Sequence, residues 1–145
     1  MTEKIKKDIL SLLNSSRNAI VCSVDDQGVP AAKAMYIHTN NEPGVYWFST
    51  NTSSVRVGHF RQRPQSSVYI YSSSGLNTRG LLITGTMEIC QDDQTKKAFW
   101  KPTDRIYYPK GPTDPDYCML RFTPNQCNYY HNLQKCMFAY EELLR

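Results

Sequence analysis

Short β-branched and aromatic segments, each ended by turn chemistry, recur through most of this chain, and that recurrence limits its fold more than any other feature. "AIVCSV" (19–24) runs into "DDQGVP" (25–30). "AAKAMYIHTN" (31–40) ends in "NEPG" (41–44), and "VYWFST" (45–50) follows at once. "SSVYIYSS" (66–73) turns through "SGLNTRG" (74–80) into "LLITGTMEIC" (81–90). Runs this short, broken by Gly, Pro, Asn and Asp at close intervals, suit a closed or nearly closed antiparallel barrel of six strands.

Helical spacing enters only at the margins. Ile5, Ile9, Leu12 and Leu13 repeat at one face's interval behind Thr2, a good cap, so one amphipathic helix is expected over about 2–14, with the barrel over about 19–130. "SSVRVGHFRQRP" predicts a short helix capped by Ser54 and ended by Pro64, and "DDQTKKAFWK" (92–101) a second one behind Asp92 or Asp93. Residues 102–117 are too rich in Pro, Gly and Asp to be regular, and 118–124 and 135–143 are the last ordered candidates. The class is therefore mainly β with flanking helices, α+β, and 145 residues suffice for one domain with a single core.

The totals exclude several function classes. No apolar run approaches the roughly 20 residues of a membrane-spanning helix, and no basic-then-apolar leader opens the chain, so a cytoplasmic protein without a membrane partner is expected. Five cysteines, an odd number with no C-x-x-C pair, argue against a disulfide framework and a structural metal. A formal charge of +4 is mild and compatible with a small anionic ligand. Ten tyrosines and "HFRQRP" (59–64) raise a nucleic-acid-binding barrel, but the tyrosines are scattered over several segments, and no nucleic-acid partner is expected.

One stretch carries chemistry. In "VYWFSTNTSSVRVGHF" (45–60) an aromatic strand passes into six small hydroxyl and amide side chains, Ser49 to Ser54, and then Arg56. A phosphate requires several hydrogen-bond donors around one point and a positive charge. Thr50 at a strand end, Ser54 at a helix start and Arg56 in its first turn offer both; the plainer reading is a solvated cap. Lys33 adds a cation on a half-buried strand, where a charge requires a partner; the plainer reading is an outward, solvated lysine. His38, His59 and His131 are scattered, and no Ser/His/Asp or Cys/His arrangement is legible.

These residues resemble the pyridoxamine 5′-phosphate oxidase-like, FMN-binding split-barrel family, in its short general-stress-protein branch. Three segments carry the resemblance. "GVPAAKAMYIH" (28–38) is similar to the strand that places a basic residue and lies along the flavin. Thr50, Asn51, Ser54 and Arg56 fall on the family's T-N-x-x-S-x-[KR], and "YYPKGPTDPDYCMLRFTP" (107–124) resembles its Y-[FY]-P-x-G-x-x-D-P signature. The resemblance implies a six-stranded Greek-key split barrel and a homodimer with FMN at the subunit interface. It further implies that Lys33, Arg56, Ser54 and Thr50 meet the phosphate, with Ser49 beside them on the strand end. Ala34, Met35 and Tyr36 would line the ring, and Arg79 would reach it from the partner subunit.

An FMN-dependent oxidoreductase is the function so implied, with NADH or NADPH as candidate reductants, and Trp100, Tyr107 and Tyr108 as candidates near the ring. A non-catalytic flavin- or haem-binding stress or sensor protein is the alternative, with His59 or His131 as the conceivable haem ligand. His38 stands where many relatives have Lys, and Tyr129 or Tyr130 where they often have Trp. Members that oxidise pyridoxamine phosphate carry a basic R-x-x-R-L segment where this sequence reads "AYEELLR", so another substrate is expected.

Overall fold

The computed structural model describes residues 1–145. The expected opening helix is α1 (Glu3–Ser15), where the Thr2 side chain accepts from the Ile5 amide and Ile9 and Leu12 are buried. Seven strands follow: β1 (Asn18–Val24), β2 (Pro30–Tyr36), β3 (Tyr46–Asn51), β4 (Gln65–Ser74), β5 (Asn77–Cys90), β6 (Tyr117–His131) and β7 (Gln134–Ala139). Helix α2 (Val55–Gln62) separates β3 from β4, and α3 (Asp93–Phe99) follows β5. Asp92 caps α3 by accepting from the Thr95 amide.

The path of the sheet is β2-β1-β4-β5-β6-β3, every pairing antiparallel, and β7 pairs with β6 off this path. Six strands thus make the split barrel, as expected from the sequence. The seventh begins one residue before the candidate segment 135–143 and extends the sheet beyond residue 130. The 14-residue β5 and 15-residue β6 bend the sheet back on itself. Their register shifts at Thr84/Gly85, where Thr84 faces Gln126 and Gly85 faces Pro124, skipping Asn125. Such a bulge increases local twist and helps close a barrel. The two end strands never form a ladder: past the end of β2, a single bridge from His38 to Trp47 joins them.

Alternate side chains of the strands fill one core, into which α1 sends Ile9 and Leu12 and α2 sends Val57 and Phe60. A smaller cluster of Trp47, Tyr108, Tyr117 and Met119 lies beneath the segment 102–117. That segment is a 3-10 turn (Pro102–Ile106) followed by further turns, held to α3 where the buried Lys96 donates through Nζ to the Asp114 carbonyl at 2.9 Å. The chain closes in a second 3-10 turn (Tyr140–Leu143), fixed by a 2.8 Å hydrogen bond between the hydroxyls of Tyr140 and Tyr46. All five cysteines are free thiols.

Candidate functional site

Strand β2 is the anomaly of the barrel. Its sequence is PAAKAMY, yet of its seven residues only Met35 is buried. An apolar strand left this exposed at a sheet's end is a candidate surface for a ligand or a partner. Only one of its edges is paired, by β1, which sets Lys33 opposite Val21.

Beside it, the hydroxyl cluster is folded around Arg56. Thr50, 3% exposed, is the last residue but one of β3; its Oγ1 accepts from Arg56 Nη2 at 2.8 Å and donates to Ser54 Oγ at 3.4 Å. Ser54 occupies the N-cap position of α2 as expected, but its hydroxyl caps no helix amide. Arg56 Nε and Thr52 Oγ1 are buried without a hydrogen-bond partner. A buried guanidinium nitrogen left unpaired costs about 1–3 kcal/mol unless something accepts from it.

Asp116 shapes this turn, a role that nothing in the sequence signals beyond its place in the D-P-D run. It accepts from Asn51 Nδ2 and from the Ser53 amide, both at 2.8 Å, while its carbonyl takes the Thr52 amide. The Asn51 bond, followed by those of Ser53, holds the Asp116 carboxyl below the usual range. Asn51 therefore serves the turn rather than facing the cleft.

Lys33 from β2 and Arg56 from α2 line one small cleft of about 110 Å³, together with Ser23 from β1, Ala31 and Ala32 from β2, and Val55 and His59 from α2. Two cations and the Ser23 hydroxyl line this cleft, and a phosphate monoester requires such charges and donors; Thr50 and Ser54, which hold Arg56 from behind its helix start, are not in the wall. A larger groove of about 730 Å³ at the β5–β6 bulge, lined by Ser66, Ser67, Thr84 and Thr86, has no charged residue in its wall and cannot neutralise a phosphate.

Further along β2, Tyr36 packs edge-on against His38 at 5.2 Å, and Lys101 Nζ lies 5.2 Å from the Tyr36 ring centre. His38 is buried and shares a 3.0 Å hydrogen bond with Ser49 Oγ. Desolvation, and then the positive charge of Lys101, push the His38 imidazole below its ordinary pKa. Ser49 thus belongs to this end of the strand and not to the cation cleft. Ala34 lies between the two ends and borders a groove of about 790 Å³ that also takes in Tyr69 and Tyr71, whose rings stack at 5.9 Å. The Met35 side chain points to the core, so only its backbone faces outward.

Arg79 is placed elsewhere. It is engaged by the Asp8 carboxylate and, at 3.1 Å, by the Asp8 carbonyl, within a cluster completed by Tyr129 and His131. Tyr108 is buried against Tyr117 and Trp100 in the smaller core, and Tyr107 is exposed. No three His, Cys, Asp or Glu side chains are grouped to hold a metal ion, and no helix is long and apolar enough to cross a membrane.

Comparison with known proteins gives the same outline. The model of a family described as pyridoxamine 5′-phosphate oxidase like matches residues 4–144. A Clostridium acetobutylicum protein related to general stress protein 26, of the pyridoxinephosphate oxidase family, is 32% identical; 99% of each chain is covered, with a TM-score of 0.82. A pyridoxamine 5′-phosphate oxidase-related, FMN-binding protein from Nostoc punctiforme shares the fold at 16% identity, with 94% of this chain and 95% of that one covered and a TM-score of 0.62. So does a heme-binding protein from Mycobacterium smegmatis, at 12% identity and a TM-score of 0.76, covering 99% of this chain and 61% of that one. None of the curated proteins matches the chain in sequence.

Proposed function

The chain belongs to the pyridoxamine 5′-phosphate oxidase-like family, and from that premise we propose that it binds FMN along β2 and acts as an oxidoreductase. The observation that carries this reading is the pairing of an uncovered apolar strand with a cleft where Lys33 and Arg56 meet and Arg56 Nε has no acceptor. When bound, FMN would supply the redox chemistry, and the protein the orientation.

Lys33 and Arg56 would hold the phosphate, with Thr50 fixing the guanidinium and Ser54 extending the hydroxyl set. The small side chains of Ala31, Ala32 and Ala34 would let a flat ring approach the strand. Tyr36 and Ser49, ordered around the buried His38, would border its far end. Exposed Tyr69, Tyr71 and Tyr36 support a homodimer that covers the ring, since aromatic side chains are enriched at such interfaces. Arg79 would reach a partner's flavin only by releasing Asp8. NADH or NADPH is the proposed reductant. A substrate other than pyridoxamine phosphate is part of this proposal, and the acidic Glu141 and Glu142 between the buried Tyr140 and Leu143 agree with it.

The fold shared with the M. smegmatis heme-binding protein makes a non-catalytic haem or flavin carrier the second reading. The visible spectrum of the purified protein, followed by titration with FMN, decides between them. A two-band flavin spectrum or saturable quenching of FMN fluorescence is expected. A Soret band would favour haem, and binding of neither would remove both readings.

A further inference from the structure

One member of the cation cleft has no part in the reading above. His59 lies one helical turn beyond Val55 in α2, half-buried, and lines the same cleft as Lys33 and Arg56. Its Nδ1 is 2.8 Å from the hydroxyl of Ser23, a buried residue of β1. Ser23 offers both a donor and an acceptor, so it can satisfy Nδ1 whether the ring is neutral or charged. In the charged ring both nitrogens carry a hydrogen, and Nε2 has no hydrogen-bond partner in the protein.

The surroundings of the ring are divided by charge. Lys33 of β2 and Arg56 of α2 share the cleft on one side. Asp25 and Asp26 of the β1–β2 turn, with Gln62 of α2, border the other. The Asp25 carboxyl is held below its usual range, first by the Val29 amide and in smaller part by His59, while Asp26 is paired with Arg63 at 2.5 Å. The acidic side can therefore support a charged imidazole next to two cations.

We propose that His59, seated by Ser23, is a third phosphate-directed group of this cleft, and that protonation of its imidazole strengthens the hold on a phosphate monoester. The inference rests on the flavin reading and deepens it: affinity for FMN would be graded by pH. Imidazole is the side chain whose charge ordinarily changes between about pH 5 and 8. The ligand works in the opposite direction, since a phosphate monoester with a second pKa of about 6 loses negative charge on acidification. Any tightening of FMN at lower pH must then come from the protein.

The test is the dissociation constant of FMN and of riboflavin, from fluorescence quenching at pH 8 and pH 6, for the wild type, His59→Gln and Ser23→Ala. The wild type is expected to bind FMN at least threefold tighter at pH 6 than at pH 8, with riboflavin unchanged. His59→Gln, which keeps a neutral donor, should bind FMN more weakly at pH 6 than at pH 8, and Ser23→Ala should lose part of the wild-type tightening. FMN bound with the same pH profile by the wild type and His59→Gln would overturn the role of His59 while leaving the flavin site intact. No FMN binding by the wild type at either pH would overturn the flavin reading and this inference together.

Discussion

Arg56 folds back over its own helix start so that its Nη2 donates to Thr50 Oγ1, six residues earlier, at 2.8 Å. The same geometry buries Nε without an acceptor. The side chain is thus oriented at a cost to the ligand-free protein, as expected of a group placed for binding rather than for stability.

Arg56→Ala and Lys33→Ala should each weaken FMN binding by roughly ten- to a hundredfold, the equivalent of one charge-assisted hydrogen bond of about 1.5–3 kcal/mol. Melting of the ligand-free protein should change little, because Lys33 is exposed and Arg56→Ala removes an unpaired buried donor along with one hydrogen bond. Fluorescence titration and calorimetry on the same samples check both halves. Unchanged affinity in both variants would sink the phosphate assignment.

The seam of the barrel should respond to acid. His38 bridges β2's continuation to Trp47 of β3, and desolvation, reinforced by Lys101, lowers its pKa in the folded state. The unfolded chain then takes up a proton at about pH 6.5 while the folded one does not. Stability therefore falls as pH drops below about 6.5 and levels off beneath the folded pKa. Urea unfolding between pH 7.5 and 4.5 should show that decline, and His38→Gln should remove this part of it.

What could be read from the sequence was what depends on neighbours in sequence. Thr2 and Asp92 announced their helices because a cap acts within three residues. The strands of the barrel announced themselves through β-branched runs ended by turns. Ser54 was placed at the correct cap position, yet its hydroxyl is taken by Thr50, a competition that local pattern does not reveal. The long-range groups could not be read at all. Asp116 meets Asn51 across 65 residues, and Ser23 meets His59 across 36, because barrel closure brings them together. The bulge that skips Asn125 is likewise a matter of register between two strands, invisible in either one alone.

Asp8 should fix α1 to the barrel. Its carboxylate accepts from Arg79 and Tyr129 and meets His131 Nδ1 at 2.7 Å. Burial tends to raise its pKa, but the hydrogen bonds of Tyr129 and Arg79, with the charges of Arg79 and His131, hold it below the usual carboxylate range. The contribution is complete above about pH 4, where an unfolded Asp ionises, and is lost as pH falls through the lower folded value. Asp8→Ala should cost about 1–3 kcal/mol at neutral pH. Asp8→Asn should flatten the acid limb of stability below pH 4, and hydrogen exchange should locate the loosening in α1.

Two glycines of β5 should differ sharply on substitution. A Cβ at Gly85 would lie 2.1 Å from the Thr123 carbonyl oxygen, and at Gly80 it would lie 2.1 Å from the Tyr69 hydroxyl. The first obstacle is backbone held in the β5–β6 ladder at the bulge; the second is the far end of a side chain 37% exposed, which can swing outward. Gly85→Ala should therefore cost about 3 kcal/mol, and Gly80→Ala about 1 kcal/mol or less while breaking the Tyr69–Tyr71 stack. Denaturant unfolding gives the ranking and near-ultraviolet circular dichroism reports the tyrosines. Equal damage from both would mean that Tyr69 is held as rigidly as backbone, and the groove beside Ala34 would then be a fixed wall rather than one that can open.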